Sequence, residues 1–167
     1  MPASAGKDIK LSSLLKDKTI QLALSEKNKA RVLSALVDLI ARSGKIKDKK
    51  AFLRAILERE KLGSTGIGNG VAIPHAKSKA VKGMVVAFAR SQEGVDFGAL
   101  DGEKVHLFFM LASPETMIGE HLKVLARLSY LIKDKFSLLL LTKAPGKKEI
   151  LKIIMDHEKI EREHEYR

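Results

Sequence analysis

Met84-Val-Val-Ala-Phe-Ala-Arg-Ser-Gln-Glu-Gly-Val-Asp-Phe-Gly-Ala-Leu-Asp-Gly-Glu-Lys-Val-His-Leu-Phe-Phe-Met-Leu-Ala112 holds two nearly continuous apolar runs, Met84–Ala89 and Val105–Ala112. Both have the length of strands rather than of helices, and unbroken apolarity at that length predicts strands covered on both faces. The segment between them, Glu93–Gly102, is rich in Gly and Asp and reads as a long hairpin connection, not a domain linker. A sheet with its middle strands buried on both sides needs a layer of helices above and below it.

Those helices are legible on either side. Leu33, Leu36, Val37 and Ile40 form an i, i+3, i+4, i+7 stripe that ends near Gly44, with Ser25 as a candidate cap. A second helix is predicted from about Asp48, carrying Phe52, Leu53, Ile56 and Leu57, and stopping at Gly63. Ile20, Leu22 and Leu24 alternate as in a half-buried strand, and Val71–Ile73 forms another short one. Downstream, Ser113-Pro114 reads as N-cap and first helical residue, followed by the stripe Ile118, Leu122, Leu125 and Ile132. Phe136–Leu141 is read as a further buried strand, Ala144-Pro-Gly-Lys147 as a turn, and Glu149–Met155 as a last helix. Strands alternating with helices predict an α/β chain, a three-layer α/β/α sandwich around a mixed sheet. The expected organisation is a partly ordered tail over 1–17, one domain over 18–156, and a charged end over 157–167 that frays.

The 167 residues, 45% of them hydrophobic, suffice for one domain with a substantial core. The absence of cysteine excludes disulfides, thiolate metal sites and cysteine nucleophiles, and suits a reducing cytoplasm. The N-terminal residues lack the apolar stretch of a secretory signal, and no window approaches a membrane span. A net charge of +11 would suit an acidic partner, yet the 31 basic residues are dispersed among 20 acidic ones, and aromatics make up only 5% with no Trp. That pattern describes a solvated basic surface rather than a nucleic-acid platform.

Chemistry concentrates in Gly63-Ser-Thr-Gly-Ile-Gly-Asn-Gly-Val-Ala-Ile-Pro-His75. Four glycines in eight positions permit positive φ and close backbone approach, and Pro74 constrains the direction in which His75 leaves the strand. A neutral imidazole offers one free lone pair near pH 7, so His75 is the candidate nucleophile. His121 shares a helical face with Leu125, Leu128 and Ile132 and points inward, either as a core residue bonded to a carbonyl or toward an anion at a helix start. Arg59 stands on the edge of the Phe52/Ile56 stripe and needs a counter-charge, either Glu58, Glu60 or Glu103, or a phosphoryl group held bidentately. Ser64 and Thr65 are weaker candidates for orienting a phosphate, since turns use such hydroxyls locally. His106, His157 and His164 carry no expected role.

Competing motifs fail on specific atoms. Gly63 and Gly68 have the outer spacing of a Walker A loop, but Asn69-Gly70 stands where Lys-Ser/Thr is required. No G-x-G-x-x-G, G-x-S-x-G or H-E-x-x-H occurs, and the histidines lack metal-ligand spacing, so neither cofactor nor metal is expected.

The run Arg59-Glu-Lys-Leu-Gly-Ser-Thr-Gly-Ile-Gly-Asn-Gly-Val-Ala-Ile-Pro-His75, with Gly119-Glu-His121-Leu-Lys-Val-Leu125 beyond it, resembles the mannitol/fructose-type enzyme IIA family of the bacterial phosphotransferase system over roughly residues 10–155. The wording is most similar to the nitrogen-regulatory branch. The resemblance implies a phosphocarrier in which His75 accepts a phosphoryl group from a histidine phosphocarrier protein, with Arg59 and His121 lining the phosphohistidine. Its recipient would be a regulated transporter or sensor protein or, for a sugar-specific subunit, a cysteine of a IIB subunit. A third possibility is a binding module that works unphosphorylated. Ala76, where many relatives have Gly, and the Lys-rich stretches 45–50 and 143–148 lie outside the motif.

Overall fold

The computed structural model describes residues 9–165 and places them in the order α1 (Leu11–Leu14), β1 (Leu15–Gln21), α2 (Lys29–Ala41), α3 (Lys49–Lys61), β2 (Gly66–Gly68), β3 (Val71–Ala72), β4 (His75–Ser78), β5 (Val85–Val95), β6 (Val105–Pro114), α4 (Ile118–Lys133), α5 (Lys135–Lys143) and α6 (Lys147–Glu165). The six strands form one mixed sheet in the order β1-β5-β6-β3-β2, with β4 also on β6. β5 and β6 are antiparallel at its centre, Ala87 opposite Met110 and Phe88 opposite Phe109. Their side chains alternate between two cores, as period-two geometry requires. Ala87, Ala89, Phe108 and Met110 pack with α2 and α3; Val86, Phe88, Leu107 and Phe109 pack with α1, α4, α5 and α6. The three-layer α/β/α arrangement follows directly from those two doubly buried strands.

β3 and β4 are one line of chain against β6, interrupted at Ile73-Pro74. Val71 pairs with Leu107 and Ala72 with Phe108 before the break, and His75 pairs with Leu111 and Ala76 with Ala112 after it, without a change of register. Pro74 has no N–H to give to a ladder; its carbonyl still accepts from Leu111 N at 3.0 Å. The imidazole therefore emerges at the point where the strand restarts.

Several boundaries differ from the sequence reading. The first strand is Leu15–Gln21, parallel to β5, rather than a strand centred on Ile20, Leu22 and Leu24. It is an edge strand with a register shift between Leu15 and Ile20, and Lys16, Asp17 and Lys18 stand exposed, which hides the alternation. Leu11 and Leu15 are buried, so ordered structure begins well before Lys18; residues 1–8 of the expected tail lie outside those described. α2 is capped by Asn28, whose Oδ1 accepts from Arg31 N at 2.9 Å, not by Ser25. Ser113 stays within β6, and α4 starts from Met117.

Phe136–Leu141 is helical, not a buried strand. Asp134 caps α5, accepting from Phe136 N at 3.1 Å and from Ser137 Oγ at 2.7 Å. Only Leu138 and Leu141, a helical i, i+3 pair, are buried among its leucines, while Phe136 is 67% exposed. A run of leucines satisfies either period, and the Asp-x-x-Ser cap decides for the helix. The final helix is likewise longer than Glu149–Met155. It runs through the charged residues to Glu165 because His157 and Glu158 are buried, Glu158 accepting from Leu11 N at 2.9 Å and Ser12 N at 3.0 Å.

Candidate active site

The elements that flank the Ile73-Pro74 break bring three sequence-distant side chains to one cleft. β4 supplies His75, the last turn of α3 supplies Arg59, and the first turn of α4 supplies His121. The cleft has a volume of about 550 Å³ and is lined by these three together with Glu58, Leu62, Lys77 and Leu122. The His75 and His121 rings lie 5.6 Å apart between centroids and are inclined by 50°.

His75 Nδ1 lies 2.7 Å from the carbonyl oxygen of Ile73. A carbonyl only accepts, so Nδ1 carries the proton and Nε2 carries the lone pair. Burial pushes this imidazole below its ordinary 6.5; the Ile73 bond opposes that shift, and the Arg59 guanidinium adds to it. The ring is therefore neutral at pH 7, with its nucleophilic lone pair on Nε2.

His121 is 2% exposed. Its pKa is lowered to about 4, chiefly by burial and secondarily by His75 and Lys77. Its Nδ1 lies 2.7 Å from Ser113 Oγ. Arg59 donates from Nη1 to Gly63 O at 3.0 Å, which steadies the side chain across the end of its own helix. Among the described residues no carboxylate lies within ion-pairing distance of Arg59. Of the counter-charges weighed for it, Glu60 is taken by Lys29 Nζ at 2.8 Å and by both the hydroxyl and the N–H of Thr65. An arginine without an ion pair among the described residues, with Lys77 as a second cation against the single carboxylate of Glu58, makes an anion-accepting pocket beside two neutral imidazoles.

Ser64 and Thr65 are placed away from that pocket. Ser64 Oγ donates to Phe97 O at 3.3 Å and accepts from Gly66 N at 3.0 Å, while Thr65 binds Glu60. The glycine-rich segment is a hairpin rather than a phosphate cradle. β2 and β3 are joined through Asn69 and Gly70, both at positive φ (57° and 75°), the geometry of a tight two-residue turn. Gly66 approaches the Ala99 backbone so closely that an added Cβ would stand 3.0 Å from Ala99 Cα. His106 binds the Ser91 carbonyl at 3.0 Å, outside the cleft. Sequence reasoning missed Lys77 and Ser113 as members of the site. The alternation His75, Lys77 along one strand was the available sign for the first; for the second there was none, because the hydroxyl meets His121 only through the strand-to-helix turn.

Comparison with known proteins bears on this geometry. A family model described as phosphoenolpyruvate-dependent sugar phosphotransferase system, EIIA 2, matches residues 13–157. This chain belongs to that family. The EIIA domain is 41% identical over 151 residues to a PTS system fructose-specific EIIABC component of Bacillus subtilis, covering 90% of this chain but 24% of that protein. The chain thus spans about a quarter of that relative's length. It is also 36% identical over 129 residues to a nitrogen regulatory protein of Pseudomonas aeruginosa, covering 77% of this chain and 84% of the relative. The crystal structure of the nitrogen regulatory protein IIA-Ntr from Neisseria meningitidis superposes with a TM-score of 0.81 at 35% identity, over 86% of this chain and 98% of that one. No helix among the described residues of this EIIA domain is long and apolar enough to cross a membrane.

Proposed function

We propose that this EIIA domain is a phosphocarrier that receives a phosphoryl group on Nε2 of His75 from a histidine phosphocarrier protein and passes it to a regulated target. The supporting observation is the Ile73 carbonyl on Nδ1, which leaves Nε2 as the ring's free lone pair beside an arginine and a second imidazole. In the in-line step, the N–P bond of the donor breaks as the bond from His75 Nε2 forms. The donor ring, protonated on its other nitrogen, recovers the electron pair of the broken bond and leaves as a neutral imidazole; His75 becomes a phosphoimidazolium whose Nδ1–H stays on the Ile73 carbonyl. Such transfer needs positioning and charge neutralisation more than covalent help. Arg59 supplies a forked cation for the equatorial oxygens and His121 a ring in contact range. Leu62 and Leu122, which line the cleft and are 85% and 60% exposed, give it an apolar rim against which a protein donor can exclude water.

The regulatory reading is favoured by the relatives named nitrogen regulatory protein. Hand-off to a IIB cysteine is the second reading, favoured by the fructose-specific EIIABC relative. Incubation with labelled phosphoenolpyruvate, enzyme I and phosphocarrier is expected to give an acid-labile, alkali-stable label on His75. Label retained by His75→Ala overturns the assignment. Adding a purified IIB domain then separates the readings, since rapid loss of label to its cysteine is expected only of the sugar-specific subunit.

A further inference from the structure

Building on the phosphocarrier reading, we infer that Ser113 is a positioning residue. Its hydroxyl donates to Nδ1 of His121 and thereby holds that ring as the Nε2–H tautomer, presenting an N–H to the phosphoryl oxygens on His75. Ser113 is fully buried near the end of β6, where it pairs with Lys77, and its Oγ lies 2.7 Å from His121 Nδ1.

A serine hydroxyl has one proton to place. Among the described residues, Ser113 Oγ has no other hydrogen-bond partner than His121 Nδ1. If Nδ1 held the ring proton, the hydroxyl would have to accept it, and its own hydrogen would be buried without an acceptor. Donation from the hydroxyl to Nδ1 satisfies both groups and leaves the ring proton on Nε2. That second nitrogen has no protein partner among the described residues, yet none of their buried side-chain nitrogens or oxygens is unpartnered. Nε2 of His121 is therefore in reach of solvent, and the ring belongs to the lining of the cleft that holds His75 and Arg59.

The two imidazoles are thus set in opposite tautomers by two different acceptor and donor groups. The Ile73 carbonyl puts the proton of His75 on Nδ1 and the lone pair on Nε2; the Ser113 hydroxyl puts the lone pair of His121 on Nδ1 and the proton on Nε2. One ring is prepared to attack phosphorus and the other to donate to its oxygens. In the alternative tautomer His121 would turn a bare lone pair toward a phosphoryl dianion. Because the ring is neutral at pH 7, the tautomer and not the charge decides whether it attracts or repels.

Two-bond 1H–15N spectra of the unphosphorylated protein read each imidazole tautomer directly, without a phosphoryl donor. Wild type is expected to show His121 with a protonated Nε2 and a hydrogen-bonded, unprotonated Nδ1, and Ser113→Ala to shift the ring toward the Nδ1–H form. Ser113→Thr, which keeps the hydroxyl, is expected to restore the wild-type pattern. With phosphoramidate as a small phosphoryl donor, Ser113→Ala is expected to slow labelling of His75 roughly 10- to 100-fold, the range over which partners that orient a functional ring act, with Ser113→Thr recovering most of it. A wild-type His121 in the Nδ1–H form, or a tautomer unmoved in a folded Ser113→Ala protein, overturns the inference. Failure of wild type to take label from either phosphoramidate or the phosphocarrier defeats the phosphocarrier reading instead, and the spectra still decide the role of Ser113.

Discussion

Arg59 illustrates how much a single side chain's lack of an ion pair among the described residues can say. Its neighbour Glu60 is drawn off by Lys29 and Thr65, and its own Nη1 is anchored on Gly63 O, so among the described residues the guanidinium has no ion-pair partner even though Glu58 lines the same cleft. Arg59→Met is expected to lower the rate of His75 phosphorylation by about 10²- to 10³-fold, the scale for loss of a preorganised donor. Arg59→Lys keeps the charge without the fork and should recover only part of it. Single-turnover labelling measures both, and a rate for Arg59→Met within a few-fold of wild type would remove Arg59 from the transfer step. The pH profile belongs at this scale too. Since His75 titrates below 6.5 in the folded protein, its nucleophilic form dominates from pH 8 down to pH 6.5, and labelling by phosphoramidate should be limited by its protonation only at lower pH. The residues of this site were unevenly legible. His75 announces itself through the proline and glycines ahead of it, because those act locally on backbone direction. Arg59 and His121 showed only an awkward placement on an apolar stripe. Their convergence depends on how α3 and α4 meet the sheet, which no local pattern encodes; the family resemblance supplied it.

At the scale of elements, helix ends are where this fold is fastened. Arg90, reaching out of β5, donates from Nη1 to the carbonyls of Leu141 at 3.0 Å, Thr142 at 3.2 Å and Ala144 at 2.8 Å, closing the C-terminus of α5 from across the core boundary. Those carbonyls have no partners within their own helix. Arg90→Met is expected to destabilise the fold by about 2 kcal/mol, as for loss of charge-assisted hydrogen bonds, without changing the phosphorylation rate. Asp134→Ala, at the other end of α5, should cost about 1 kcal/mol as a lost N-cap. Urea unfolding checks both, and an unchanged midpoint for Arg90→Met would show that water replaces it. These elements also mark where periodicity runs out. α2 and α3 were readable because each has one dominant period, and the β5/β6 pair because each holds a nearly unbroken apolar run of strand length. α5 was not, because Phe136, Leu138, Leu139, Leu140 and Leu141 satisfy strand and helix alike; the information lay in the Asp134 cap. β1 was obscured by Lys16, Asp17 and Lys18, charges that suit a sheet edge and break an apolar pattern.

For the molecule as a whole, the half-buried His75 and the buried His121 couple the site to global stability. Both titrate lower in the folded state than their ordinary 6.5, His121 at about 4. As pH falls below 6.5 the unfolded chain takes up protons that the folded chain refuses, so the slope of unfolding free energy against pH is positive there. Stability is expected to be full above pH 6.5 and to decline continuously toward pH 4. Asp134, whose carboxyl is held below 3.8 mainly by Ser137, extends the decline to lower pH. Urea titrations at pH 7.5, 6.0 and 5.0 test this, with His121→Phe expected to flatten the dependence; stability that rises on acidification would contradict it.

The Ile73-Pro74 interruption has an evolutionary corollary. In the proposed phosphocarrier role, the group that selects which nitrogen of His75 reacts is a main-chain carbonyl, so ordinary point substitution at Ile73 leaves it in place. Mutational drift can tune the speed of the site through Arg59, His121 or Ser113, whereas its regiochemistry is inherited with the path of the backbone and changes only if that path does.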